Sequence, residues 1–467
     1  MSWACILLPQ MALDSVLRRR ADTGPLVLVD GAVNARSIVA VNARARAAGL
    51  HAGQRLTAAH ALLAQFDALP YDPAAAGRWQ RFLAAVAYRY SSEVSLLPHA
   101  VVLEASRSLG LFGPWPRFEA RLRADFAALG FRHRIALAPT PHAAHVLAGV
   151  GDGLTARSPR QLRGVLHEVP IHKSRLPASA LAALPAMGIR TLGQVLALPR
   201  AGLRRRFGDG LLQTLERLLG ECPAGLELYR PPDVFDLRLE LGHEVENLAA
   251  LLFPLRRMSG DLAAYLAARD GGVQRFVLRL EHREGRSTEV PIGLLAPERD
   301  AGLLFESARG RLEQLQLPEA VLALRLLARD LPAFVPGGRD LFDERPARAL
   351  PPGQLRERLR ARLGDRAVYR LAATTDPRPE RAQRVAEAGG VHHEPCPRPT
   401  WLLERPLPLR GPPPRILAGP ERLETGWWDG GEARRDYYVV ETSLGQRAWA
   451  YCQPGEQAGW MLHGWFA

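Results

Sequence analysis

Leu184-Pro185-Ala186-Met187-Gly188-Ile189-Arg190-Thr191-Leu192-Gly193 joins two helical stretches through a glycine-containing turn, with Leu198-Pro199 and Phe207-Gly208 following. This is the pattern of a helix-hairpin-helix, whose turn can hold backbone N–H groups against phosphate oxygens without reading base sequence. The candidate phosphate-binding residues are Met187, Gly188, Ile189, Arg190, Thr191 and Gly193, with Arg204, Arg205 and Arg206 nearby to add affinity through counterion release. The plainer reading is an ordinary pair of helices with a solvated arginine face.

Other candidate chemistry is thinner. Cys5, Cys222, Cys396 and Cys452 are far apart and form no C-x-x-C pair, which argues against a disulfide framework and a structural zinc site. His392-His393-Glu394-Pro395-Cys396 has no second ligand group spaced to complete a tetrahedron, so a solvated loop is the better reading. His133, His142 and His145 read as structural or phosphate-adjacent. No P-loop and no G-x-S-x-G elbow occurs. No cofactor and no resident metal is expected.

The elements that must position these residues come in blocks. A buried-strand run, Trp3 to Leu8, precedes a helix from Met11 to Arg20; strands follow at Pro25–Val29 and Ser37–Val41, and a helix from Asn42 ends at Gly49. Tyr71-Asp72-Pro73 opens another helix, Val101–Glu104 and Arg132–Ala138 read as strands, and a further helix begins near Thr140-Pro141. Alternation of this kind predicts an α/β or α+β domain to about residue 165. Beyond Pro231-Pro232, long amphipathic helices alternate with strands such as Val273–Leu280. Eight prolines between 395 and 414 predict an extended linker, and Asp436–Glu441 with Gln446–Tyr451 predicts a β-hairpin around Ser443-Leu444-Gly445.

A chain of 467 residues with 47% hydrophobic content is long enough for three or four domains with real cores. Its 61 Lys+Arg against 48 Asp+Glu give a net charge of +13, which favours an anionic partner, nucleic acid first. No apolar run reaches membrane-span length and the amino terminus does not read as a signal peptide, so a reducing cytoplasm and no membrane are expected.

The stretch from Pro25 to Asp72, with "GPLVLVDG" and then "VAVNARARAAGLHAGQRLTAAHALLAQFDALPYD", resembles the fingers region of Y-family translesion DNA polymerases. Arg46 and Gly49 match that family's Arg and Gly, while Ala43 replaces the Tyr that touches an incoming triphosphate. The resemblance implies an α+β multidomain fold: palm-like at 1–20 and 73–168, fingers-like at 21–72, a helix-hairpin-helix thumb-like part at 169–232, little-finger-like at 233–335, a clamp-binding loop at 336–345, and a C-terminal interaction region at 346–467 containing a small β-hairpin.

Family members hold two metal ions with palm carboxylates, which activate the primer 3′-hydroxyl and steady the triphosphate. Here the leading Asp falls on Leu8 and the second on Gln10, the later Asp-Glu pair on His99 and Ala100 give or take one position, and only Glu104 keeps a carboxylate. Leu8, Ala43, Arg46, His99, Ala100 and Glu104 are thus expected to form a vestigial nucleotide site with no polymerase activity.

Loss of the carboxylates together with a tail reading "GWWDGGEARRDYYVVETSLGQRAWAYC" and ending in "WMLHGWFA" is similar to the ImuB-type group, inactive Y-family relatives in bacterial DNA-damage mutasomes. That resemblance implies an SOS-type role as a noncatalytic adaptor in translesion synthesis and mutagenesis. Its partners would be DNA, the sliding clamp, an error-prone DnaE-type polymerase and a RecA-like ImuA-type protein. Gly338-Arg339-Asp340-Leu341-Phe342 resembles a clamp-binding peptide, with Asp340, Leu341 and Phe342 as its contacts. Two alternatives stand beside this: an active polymerase with the unconventional ligands Asp14, Asp30 and Glu104, or a generic helix-hairpin-helix DNA-binding protein.

Overall fold

The computed structural model describes residues 1–18, 20, 24–335, 352–364, 367–386 and 398–466. The chain forms two compact units, Met1–Ala361 and Arg362–Ala467.

The first unit is organised by an antiparallel sheet in the order Val94–Leu97, Ala100–Glu104, Trp3–Leu7, Arg134–Ala138. The central strand is apolar at every position because both of its faces are covered. Ala4 and Ile6, followed by Leu8, enter one core with Trp79, Leu83 and Phe118; Trp3, Cys5 and Leu7 enter another with Ala143, Leu147 and Leu215. The covering helices start where the sequence signals them. Asp72 caps Pro73–Ala87, Thr140 caps Pro141–Val150 and Ser158 caps Pro159–His167, each with proline at the first helical position, where its missing N–H costs nothing.

Residues 26–70 form a smaller sheet, Ser37–Val41, Leu26–Asp30 and Asp67–Pro70, with the short helices Ala43–Ala47 and Leu56–Leu62. Asn42 ties it together: its side chain accepts from the N–H groups of Leu26 and Ala45 and donates to the Gly24 carbonyl. Five helices between 159 and 219 then pack their leucines into the second core.

A second four-stranded sheet follows, in the order Ser287–Glu298, Val273–Glu281, Val321–Asp330, Phe235–Val245. Its inner face joins the first core, and the Leu248–Ala268 helix packs against Pro73–Ala87. The stretches expected as palm-like and little-finger-like therefore share one apolar interior. A charged pair lies at this junction. Arg18 donates to Asp261 at 2.6 Å with both side chains buried, and the Arg18 guanidinium lies over the rings of Trp79 and Phe131.

In the second unit, five antiparallel strands run in the order Trp401–Pro408, Met461–Trp465, Arg447–Cys452, Ala433–Glu441, Arg415–Thr425. The expected hairpin is present, with Glu441 opposite Arg447. The expected linker at 395–414 needs correction: within it, Trp401–Pro408 is a strand. Pro406 and Pro408 are tolerated because this strand lies at the sheet edge, where it pairs on one side only and with an interrupted register. Among the described residues, no helix is long and apolar enough to cross a membrane.

Removing Asp261 leaves the buried Arg18 guanidinium without the carboxylate it donates to. Asp261→Ala should destabilise the first unit by about 3–5 kcal/mol, whereas Arg18→Met combined with Asp261→Leu should lose much less. Urea unfolding of the full chain distinguishes the two; equal losses would mean that the packing, not the charge, is responsible.

Candidate nucleic-acid interface

Leu8 follows the central strand, and its backbone N–H donates to the His99 carbonyl at 2.8 Å. Pro98 and His99 form the two-residue turn between the paired residues Leu97 and Ala100. Gln80 donates to both flanking carbonyls, Leu97 and Ala100, at 2.7 and 2.9 Å. His145 Nε2 lies 3.1 Å from the Pro98 carbonyl. Burial, reinforced by the Arg175 charge, pushes His145 down to about 3, so it is neutral at physiological pH and donates this bond. His99 itself is exposed with φ +57°, a left-handed backbone that a side chain adopts at some cost.

The structure does not assemble the six residues expected at the vestigial site. Leu8 and His99 meet through their backbones, but the Leu8 side chain enters the first core and Ala100 the second. Glu104 pairs with Trp3 at the opposite end of the strand, five residues and about 17 Å from the Leu8–His99 end at roughly 3.4 Å per residue. There it accepts from the N–H groups of Ser2, Ser106 and Arg107 and from the Ser106 hydroxyl. Burial pushes the Glu104 carboxyl up, but these bonds outweigh it and hold the group below the usual range. It serves as a local cap. Ala43 and Arg46 lie exposed on the short helix beside Leu26–Asp30.

The unconventional trio fares no better. Asp14 is buried against Arg132, which donates from its backbone N–H at 2.9 Å and from Nε at 2.8 Å. Asp30 is exposed at a strand end and accepts from Gly31. Among the described residues, no group of three His, Cys, Asp or Glu side chains is placed to hold a metal. Magnesium requires oxygen ligands, so the residues at the Leu8–His99 strand end do not fit the two-metal chemistry that the polymerase resemblance implies.

The 184–193 hairpin forms as expected, between the helices Ala178–Ala186 and Leu192–Leu196. The N–H groups from Met187 to Leu192, however, are already satisfied. The N–H groups of Met187, Gly188 and Ile189 donate to carbonyls of the preceding helix, and those of Arg190 and Thr191 to the Gln194 side chain, which closes a capping box with Thr191. Gly193 also needs correction as a phosphate contact. It is buried, and a Cβ there would lie 2.5 Å from the His167 ring; glycine at this position permits close helix packing. Ile189 is buried as well, whereas Met187, Gly188 and Arg190 are exposed.

What this region offers a phosphate is therefore mainly guanidinium, from Arg190 in the turn and from the following helix Arg200–Phe207. Arg205 and Arg206 are exposed, while Arg204 pairs with Asp209 at 2.8 Å. Residues 169–232 carry nine Lys/Arg against four Asp/Glu, and the 1–20 and 73–168 stretches fifteen against seven. Residues 233–335 carry thirteen against sixteen, so the positive field belongs to the first two.

One feature was missed from sequence. Arg238, Arg325 and Arg279 lie directly opposite one another on adjacent strands of the second sheet. Their carboxylate partners, Glu281, Asp236 and Glu289, neutralise the row. The alternation of polar with apolar residues along Phe235–Val245 was the available signal. The clamp-type residues Asp340, Leu341 and Phe342, and His392 to Cys396, lie outside the described residues.

Residues 11–149 match the impB/mucB/samB family. The chain is 29% identical over 467 residues to Protein ImuB of Caulobacter vibrioides, in strain NA1000 / CB15N and equally in strain ATCC 19089 / CIP 103742 / CB 15, covering 90% of this chain and 100% of the relative. Among solved structures it is similar to DinB from Sulfolobus solfataricus, with 14% identity, 72% of this chain, 100% of that chain and a TM-score of 0.40. A Y-family DNA polymerase chimera of Dbh and Dpo4 gives 13% identity, 70% and 98% coverage, and a TM-score of 0.42.

Because the N–H groups from Met187 to Leu192 are already bonded, affinity for DNA should depend on the exposed side chains of this region. Arg205→Ala/Arg206→Ala should weaken binding equally across sequences and reduce the salt slope by about 0.9 per lost phosphate contact on duplex DNA. Gly193→Ala should instead lower the melting temperature. Binding titrations over a salt series, with thermal melts, check both.

Proposed function

We propose that this ImuB-type chain, with its impB/mucB/samB domain at residues 11–149, acts as a noncatalytic DNA-binding adaptor in translesion synthesis and induced mutagenesis. In this reading it bridges DNA, the sliding clamp and an error-prone DnaE-type polymerase, with a RecA-like ImuA-type protein as a further partner.

The observation that carries the reading is the end of the central strand. Leucine stands there in a sealed core, the adjoining turn presents His99, and Glu104 is held at the far end of the sheet. Metal ions contribute several kcal/mol to such transition states, and each 1.4 kcal/mol or so is a factor of ten in rate. A fold that keeps the framework without the ligands retains binding and positioning as its useful properties.

DNA binding in this account is electrostatic and independent of sequence. Arg190, Arg205 and Arg206 approach the phosphates, and the excess positive charge of the palm-like and thumb-like stretches raises the local concentration of DNA. Leu341 and Phe342 would enter an apolar pocket on the clamp. The generic DNA-binding alternative has no use for that segment.

Reconstitution tests the proposal. The chain should support a complex of clamp-loaded DNA with the DnaE-type polymerase that does not form without it. Leu341→Ala/Phe342→Ala should weaken clamp binding by about 30-fold or more and leave DNA binding unchanged. Clamp binding indifferent to both substitutions would remove the loop assignment, and failure to recruit the polymerase would remove the adaptor role.

A further inference from the structure

Trp427 and Trp428 are 75% and 61% exposed, far more than indoles of a packed domain. They do not sit on a slack loop. Their rings meet edge to face, with centroids 5.5 Å apart and planes at 84°. The turn that carries them is tied at its next residue. Asp429 accepts from Arg378 at 3.0 and 2.6 Å, from Arg381 at 2.6 Å and from the Gly431 N–H at 3.0 Å. The Arg378 side chain is buried and also donates to Asp376 at 2.7 Å and to the Gly431 carbonyl at 3.1 Å. Gly426 closes the turn with φ +84°, and a Cβ there would lie 2.3 Å from the Gly431 oxygen. A buried cation, a carboxylate and a glycine thus fix six residues so that two tryptophans face water.

Fixing large aromatic groups in advance removes the ordering cost of binding, and rigid tryptophan is the residue type most often found at the centre of interfaces. The charges nearby indicate what would cover them. Asp429 is neutralised by Arg378 and Arg381, Arg434 pairs with Glu432, and Arg435 pairs with Glu380. From 424 to 435 there are three acidic residues and two basic ones. Stacking platforms for single-stranded nucleic acid combine aromatic rings with a positive groove, whereas Arg378, Arg381, Arg434 and Arg435 beside this turn are each paired with a carboxylate. Its complement is an uncharged apolar pocket.

We propose that Trp427 and Trp428 form a preformed anchor that inserts into an apolar pocket on a protein partner. Arg378 is the residue that positions the anchor. The proposal rests on the adaptor reading, because it requires a protein for the chain to recruit.

The test titrates the full-length chain with the purified DnaE-type polymerase, with the RecA-like protein and with a labelled single-stranded oligonucleotide, each at low and high salt. Trp427→Ala/Trp428→Ala should weaken one protein interaction by about 30-fold or more, at either salt, and leave oligonucleotide binding unchanged. Arg378→Ala should weaken the same interaction with both tryptophans in place. Near-ultraviolet circular dichroism from the Tyr437–Trp449 stack, with centroids 4.0 Å apart, reports whether each variant is folded. Protein binding that survives the tryptophan substitutions in folded protein overturns the anchor and leaves the adaptor reading intact. Loss of oligonucleotide affinity instead would make this a nucleic-acid surface. If the wild-type chain binds neither protein, the anchor and the recruitment of these partners fall together.

Discussion

The Trp3–Leu7 strand is buried on both faces, and the rest of the first unit is arranged around that condition. Alternate side chains go to opposite cores, so every position must be apolar: Ala4 and Ile6 meet the Pro73–Ala87 and Trp115–Ala128 helices, while Cys5 and Leu7 meet Pro141–Val150. The same condition governs the strand end. A carboxylate at Leu8 would be fully buried, and an isolated buried charge is costly unless a cation accompanies it. Leucine contributes instead roughly 1.5–3 kcal/mol of burial. Leu8 is part of what holds the sheet to its helices.

A second consequence is the merging of interiors. Because the Leu248–Ala268 helix buries its apolar stripe against Pro73–Ala87, the second sheet is held by the first core, and Arg18 with Asp261 fixes how the helices meet. A buried ion pair adds little net stability over an apolar pair but penalises every arrangement that separates its members. The second sheet thus belongs to the same compact unit as the hairpin. Its outward arginine row is matched by carboxylates, which leaves the hairpin and the first sheet's surroundings as the sources of positive field.

Much of this was legible in the sequence, for local reasons. Asp72-Pro73 and Thr140-Pro141 mark helix starts because the cap chemistry lies within three residues. The 441–447 hairpin and the 184–193 turn are likewise short-range features. The illegible parts depend on distant partners. Glu104 follows the expected ligand positions in sequence, but an antiparallel strand carries it to the far end of the sheet. Gly193 looks like a turn glycine until His167 is placed against it. Prolines at 406 and 408 suggest a linker because nothing local reveals that the segment becomes a sheet edge. The arginine row exists only once three strands are in register.

The central claim, a polymerase-like framework that binds DNA without extending it, is tested most directly by primer extension with the purified full-length chain. The assay uses a primed template, all four nucleotides and Mg²⁺ or Mn²⁺, at protein concentrations shown on the same sample to saturate the DNA. The account predicts saturable, salt-sensitive binding and no extended product with either metal. Extension that follows the protein through purification and disappears in a Glu104→Ala variant would contradict it, because Glu104 would then have to leave its cap and join a metal site at the other end of the strand.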